Sequence, residues 1–157
     1  MSKKKIIDGG QTESIIVKKV SRVMIPFIQL FGLYVIAHGE ASPGGGFQGG
    51  VILGTSIILL AIVFDLEEAE RRVSRKLLTT LMSLGLLIYS GVGVLDMLSG
   101  GRYLEYTRLS IPLPHHEVSV LSILTVEIGI GITVMAVIIL LFFYLAGEQN
   151  AHGRDTG

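Results

Sequence analysis

The chain has 157 residues, is 50% hydrophobic and 17% charged, and has a mean hydropathy of +0.64. Soluble domains carry about a quarter charged residues, so this composition excludes an ordinary water-soluble globule and points to lipid as the solvent. Thirteen basic residues balance thirteen acidic ones, which gives no electrostatic basis for a nucleic-acid partner. The absence of cysteine excludes disulfides, thiol catalysis and iron–sulfur ligation by this chain.

Residues 1–19 read as a polar N-terminal segment. Lys3, Lys4 and Lys5 are followed by the polar run from Asp8 to Ser14 instead of an apolar core, which is not the pattern of a signal peptide. Four apolar runs follow, each close to or longer than the ~20 residues that a spanning helix needs. The first covers residues 20–37, with Arg22 at its edge and Pro26 near its start, where a helix tolerates it or kinks. The second, 47–64, and the third, 77–95, carry no charge; Asp65 ends one and Asp96 the other. The fourth, 118–146, contains a single charge, Glu127, and at 1.5 Å per residue is ~43 Å long, so it must tilt or project from a ~30 Å hydrocarbon core. Residues 147–157 form a polar tail. The expected architecture is an all-α membrane protein with four transmembrane helices over 20–146, a multi-pass protein of the cell membrane.

Lysine and arginine set the orientation, because cytoplasmic loops are enriched in them. They cluster before and at the opening of the first span (Lys3, Lys4, Lys5, Lys18, Lys19, Arg22) and between spans two and three (Arg71, Arg72, Arg75, Lys76). The connection between spans one and two has none, and that between three and four has only Arg102 and Arg108. Both termini are therefore expected in the cytoplasm. The connector 65–76 reads as a short helical extension of span two, with Glu67/Arg71 and Glu68/Arg72 at i,i+4 spacing on a solvated turn.

Between spans one and two lies Pro43-Gly44-Gly45-Gly46-Phe47-Gln48-Gly49-Gly50. It lacks the Lys-Ser/Thr ending of a phosphate loop and the βαβ setting of a dinucleotide fold. Irregular backbone at membrane depth survives only where protein or a water-filled cavity surrounds it. A glycine-rich loop re-entering the bilayer against neighbouring chain is expected here, with Phe47 or Gln48 set towards a partner. Glu127 is the sharpest single candidate for chemistry. A carboxylate at bilayer depth costs at least ~2.5 kcal/mol, so it should face protein or a water cavity. Handling a proton or cation, and pairing with a Lys or Arg of a neighbouring subunit, both fit it.

Thr125, Gly129 and Thr133, four apart and with Gly131 beside them, form a small-residue stripe that lets helices approach closely, and Gly50/Gly54 and Ser90, Gly91, Gly93 act similarly. Asp65 and Asp96 are expected at the membrane interface. Asp96 and His38, which closes span one and could relay protons, join Glu127 as ion-path candidates. His115, His116 and Glu117 lack the further ligands of a zinc site, so no metal is expected.

His38-Gly39 followed by Pro43 to Gly50, between the first two of four spans, resembles the MnhB/MrpB-type subunit of multisubunit monovalent cation/proton antiporters, over about residues 20–146. The resemblance implies a small subunit with no activity or cofactor of its own. It would shape or line an ion path for Na+ and H+, in contact with lipid and with large proton-pumping subunits related to the membrane arm of complex I. Similar subunits occur in archaeal membrane-bound hydrogenases and sulfur-reducing complexes, where the same module would serve a redox arm. A purely structural scaffold is the third reading.

Overall fold

A computed structural model of the chain describes residues 2–39, 45–104 and 115–155, with side chains over 15–39, 45–104 and 118–148. Among these residues there are five helices and no strand: α1 (Ser2–Ala37), α2 (Gly45–Phe64), α3 (Leu66–Arg72), α4 (Arg75–Leu98) and α5 (His115–Asp155). Four of them contain stretches long and apolar enough to cross a membrane: Ile15–Ala37, Gly45–Phe64, Arg75–Leu98 and Val118–Glu148. The four spans stand where the apolar runs place them. Their helices run further, since α1 extends back through the polar head to Ser2 and α5 on to Asp155, well past the end of the apolar run. Pro26 lies deep inside α1, not in its opening turns.

The spans pack in the order α1–α2–α5–α4, so α5 is shared by its neighbours on both sides and also touches α1 and α3. Only 17% to 33% of each apolar stretch is buried within the chain. The remainder is a sheath of exposed side chains such as Phe27, Leu30, Ile62, Leu87 and Leu141, which requires lipid or other polypeptide as its surroundings.

Two kinds of contact hold the row together. Towards α3, bulky side chains fill the centre: Leu78, Ile139 and Phe143 are fully buried, joined by Leu60, Ala61, Ala136 and by Ala69 from α3. Towards the other end, glycines bring backbones together. A Cβ placed on Gly49 would stand 2.7 Å from the Gly32 carbonyl oxygen, one on Gly50 2.6 Å from that of Gly131, and one on Gly85 2.6 Å from that of Gly129. These are the small-residue crossings that membrane helices use in place of a hydrophobic driving force.

The connector 65–76 departs from the expected extension of span two. α2 ends at Phe64, Asp65 turns the chain with φ of 102°, and its carboxylate accepts from the Leu66 N–H to start the separate helix α3. The i,i+4 pairs form as expected, Glu67–Arg71 at 2.9 Å and Glu68–Arg72 at 3.1 Å, both on exposed side chains. A third pair carries more of the tertiary structure. Arg75 reaches Glu70 at 2.5 Å, donates to the Phe143 carbonyl at 3.3 Å and lies 5.0 Å from the Tyr144 ring, which ties α3, α4 and α5 together.

Candidate functional site

Glu127 lies on α5, half-buried, and faces the start of α2. The N–H of Gly46 donates a hydrogen bond to its Oε2. The first N–H groups of a helix have no partner within the helix, and the aligned peptide dipoles make that end electropositive, so it complements a carboxylate. α2 begins at Gly45, which places these unpaired donors against the charge.

Glycine is what permits the approach. A Cβ on Gly39 would sit 3.0 Å from Cδ of Glu127, and one on Gly45 would sit 3.2 Å from Oε2. On Gly46 it would meet Oε2 at 2.5 Å and collide with the Glu127 carbonyl oxygen. A Cβ on Gly45 would also strike the Cα of Gly39, because the end of α1 and the start of α2 touch there. The carboxylate thus occupies a cradle of three glycines, Gly39 from the turn after α1 and Gly45 and Gly46 from the start of α2, closed by its own helix. The glycine motif and the intramembrane acid, 81 residues apart in the chain, form one site.

This alters the reading of the glycine run. α2 opens two residues before the apolar run, at Gly45, so Gly45 and Gly46 are helix and not loop, and Gly49 and Gly50 continue the close packing onto α1 and α5 respectively. Pro43 and Gly44 lie outside the described residues. Phe47, 60% exposed, and Gln48 face away from the rest of the chain, on a surface open to lipid or to other polypeptide.

The other candidates are distributed around the same end of the molecule. His38 follows α1 directly and is exposed; its Nδ1 stands 3.1 Å from the Tyr34 carbonyl and its ring 4.1 Å from the Tyr34 ring. It adjoins Gly39, so it flanks the cradle. Asp96 lies near the end of α4, and its side chain is completely buried within the chain. One turn earlier Gly93 is covered by the ring of Tyr103, which folds back from the segment after α4. Gly85 and Gly129 mark the level at which α4 and α5 cross, which puts Asp96 about 13 Å further along the helix axis than Glu127. The two carboxylates are therefore separate sites.

Of the small-residue stripe, Gly129 and Thr133 face α4 and Gly131 faces α1 and α2, whereas Thr125 is exposed and donates to the Leu121 carbonyl. Gly91 has nothing within 4 Å. The sequence pattern does not signal Gly32 and Gly85, although Gly32 on α1 opposes Gly49, as Gly39 just past the end of α1 opposes Gly45. Among the described residues no group of three potential metal ligands converges. The side chains of His115, His116 and Glu117 lie outside the described set.

The chain is similar to known proteins over most of its length. Residues 16–140 match the family model described as a domain related to the MnhB subunit of Na+/H+ antiporter. Proteins that bear the provisional name antiporter subunit mnhB2 are similar over nearly their whole length. The one from Staphylococcus epidermidis is 31% identical over 87% of this chain and 96% of its own. That from Staphylococcus aureus strain MRSA252 is 30% identical, and that from Staphylococcus haemolyticus 29%, with the same coverage. With its four apolar helices, this multi-pass protein of the cell membrane belongs to the MnhB family.

Proposed function

We propose that this chain is an integral-membrane subunit of a sodium/proton antiporter complex, and that within it the chain holds the carboxylate of Glu127 as a fixed negative charge beside the ion path. Family membership supports the first part, and so does the broad apolar surface left for lipid and for other membrane subunits. The observation that carries the second is the hydrogen bond from the Gly46 N–H to the Glu127 carboxylate inside the glycine cradle.

A charge at membrane depth is costly, so a helix retains one only where its surroundings offset the cost. Here the start of α2 provides that offset, and glycine at 39, 45 and 46 brings the helix end within reach. A carboxylate positioned this way draws cations towards it through low-dielectric surroundings. The imidazole of His38, on the residue next to the cradle and open to the exterior, is suited to pass protons. The distribution of lysine and arginine supports cytoplasmic termini, which puts the Glu127 end of the bundle towards the opposite face. The chain itself contributes positioning and electrostatics; the large conformational or pumping steps belong to its partner subunits.

Glu127→Gln tests the reading, because it keeps the shape and an acceptor oxygen for Gly46 while removing the charge. The expected outcome is an assembled complex, judged by copurification of its partner chains in mild detergent, with sodium-dependent proton transport lowered by about tenfold or more, equivalent to ~1.4 kcal/mol on the barrier. An assembled complex with full transport overturns the ion-path role and leaves a scaffold. The same purification identifies the setting, since nickel–iron or iron–sulfur chains would signify a redox complex. Orientation is checked by single cysteines in this cysteine-free chain: Glu67→Cys should react from the cytoplasmic side and Ser99→Cys from the other.

A further inference from the structure

At the α3 end of the molecule, α1 and α4 stand on either side of α2 and α5 and leave a groove between them. Its inner part is a cavity of about 590 Å³ with an almost wholly apolar lining, including Leu33 and Ile36 of α1, Leu81 of α4 and Ile132 of α5. Its outer part is a second cavity of about 440 Å³ that carries two guanidinium groups, Arg22 and Arg72. Gln29, Ile57 and Val73 line both, so the two are continuous. We infer that this groove binds one anionic phospholipid, its phosphate between Arg22 and Arg72 and an acyl chain in the apolar cavity.

Size, charge and depth support this occupant. A spanning helix, about 10 Å across and 30 Å long, takes up on the order of 2,000 Å³ and does not fit; an acyl chain does. Along α1 the groove extends from Arg22 to Ile36, about 21 Å at 1.5 Å per residue, which matches half of a 40–45 Å bilayer including its headgroups. Arg22 projects over the Phe64 ring, 5.4 Å from its centre, and no carboxylate among the described residues pairs with it. Arg72 is held by Glu68 at 3.1 Å, yet its side chain stays 58% exposed, with donors left to offer. Lys18 and Lys19, one turn before Arg22, add positive charge at the same level. Basic pockets between spanning helices at the headgroup level attract anionic lipid.

The test uses the assembled complex in phosphatidylcholine vesicles, labelled with a phosphatidylglycerol that carries a photoreactive diazirine in its acyl chain, or with the matching phosphatidylcholine. The phosphatidylglycerol probe is expected to label peptides containing Leu33, Ile57 and Ile132 about five- to thirtyfold more strongly, the selectivity of one to two arginine contacts. Arg22→Gln combined with Arg72→Gln should bring that labelling down to the phosphatidylcholine level. Equal labelling by the two probes in the unaltered complex overturns the inference and makes the groove ordinary lipid contact. It is overturned equally if a benzophenone side chain at position 29 crosslinks to another polypeptide, since a partner chain would then fill the groove. If the double variant does not assemble, the ratio in the unaltered complex and the single change Arg22→Gln decide.

Discussion

The two ends of α5 are packed by opposite means. Near Glu127 the helix backbones themselves come close: the Gly46 N–H donates to the carboxylate, Gly50 rests on Gly131 and Gly85 on Gly129. Near Phe143 they are side chain to side chain, with Ile139, Leu78 and Ala69 closed around a fully buried ring. The difference follows from what each end must satisfy. A carboxylate at membrane depth needs a polar partner, and the only donors that α2 offers there are its own N–H groups, so every Cβ in between has to be absent. The other end meets water and headgroups, where arginine and glutamate side chains find partners readily and the interior can be filled with bulk.

The contrast predicts where the molecule is brittle. Gly46→Ala should be among the most damaging small changes, because the new methyl would collide with the backbone carbonyl of Glu127, which cannot rotate away. A loss of about 3 kcal/mol or more is expected, seen as a sharp drop in the thermal midpoint of the detergent-purified protein. Gly54→Ala on the same helix is the control: its Cβ would lie 3.4 Å from Ile138 and Met135, ordinary contact, and the midpoint should hold to within about 1 kcal/mol. Equal damage by both would mean that helix propensity, not the cradle, governs the glycine-rich start of α2.

Next in size comes the side-chain end. Phe143→Ala removes a fully buried ring and leaves a void between Leu78, Ile139 and Ala69. In a soluble core such a change costs about 3–5 kcal/mol. Here about 2–3 kcal/mol is expected, because the spanning helices stay surrounded by lipid tails when they separate and only the packing term is lost. A cost at the soluble level would mean that this end unfolds into water.

How much of this was legible beforehand differs between the same two regions. Apolar runs of membrane length place all four spans, and Glu127 stands out because it is the one charge in the interior of such a run, Arg22 lying at the edge of its own. The glycine motif stands out by density alone. That the two meet was not legible, since nothing in local pattern links positions 46 and 127; the contact arises from the register of α5 against α2. Gly45 and Gly46 read as loop because glycine weakens a helix in water, yet close packing reverses that preference and α2 opens at Gly45. Asp65 reads as one more polar residue of a helical connector, and its left-handed φ of 102° breaks the chain into α2 and α3. The burial of Asp96 is not legible from its place at the end of an apolar run, since residues beyond it, Tyr103 among them, fold back over the last turns of α4.

The smallest effects sharpen the comparison at the charged end. Arg75→Gln gives up the Glu70 pair, the Phe143 carbonyl contact and the position over Tyr144, all at partly exposed atoms, and should cost about 1 kcal/mol in the same melting assay. Glu67→Gln removes only an exposed i,i+4 pair and should shift stability by about 0.3 kcal/mol at most. Both pairs bring unit charges to within 3 Å, and they differ in what the arginine does besides. Arg71 meets Glu67 alone within α3, while Arg75 holds α3 and α4 against α5. If the two substitutions cost the same, Arg75 acts as a surface charge and α3 is held in place by Ala69 and its apolar neighbours alone.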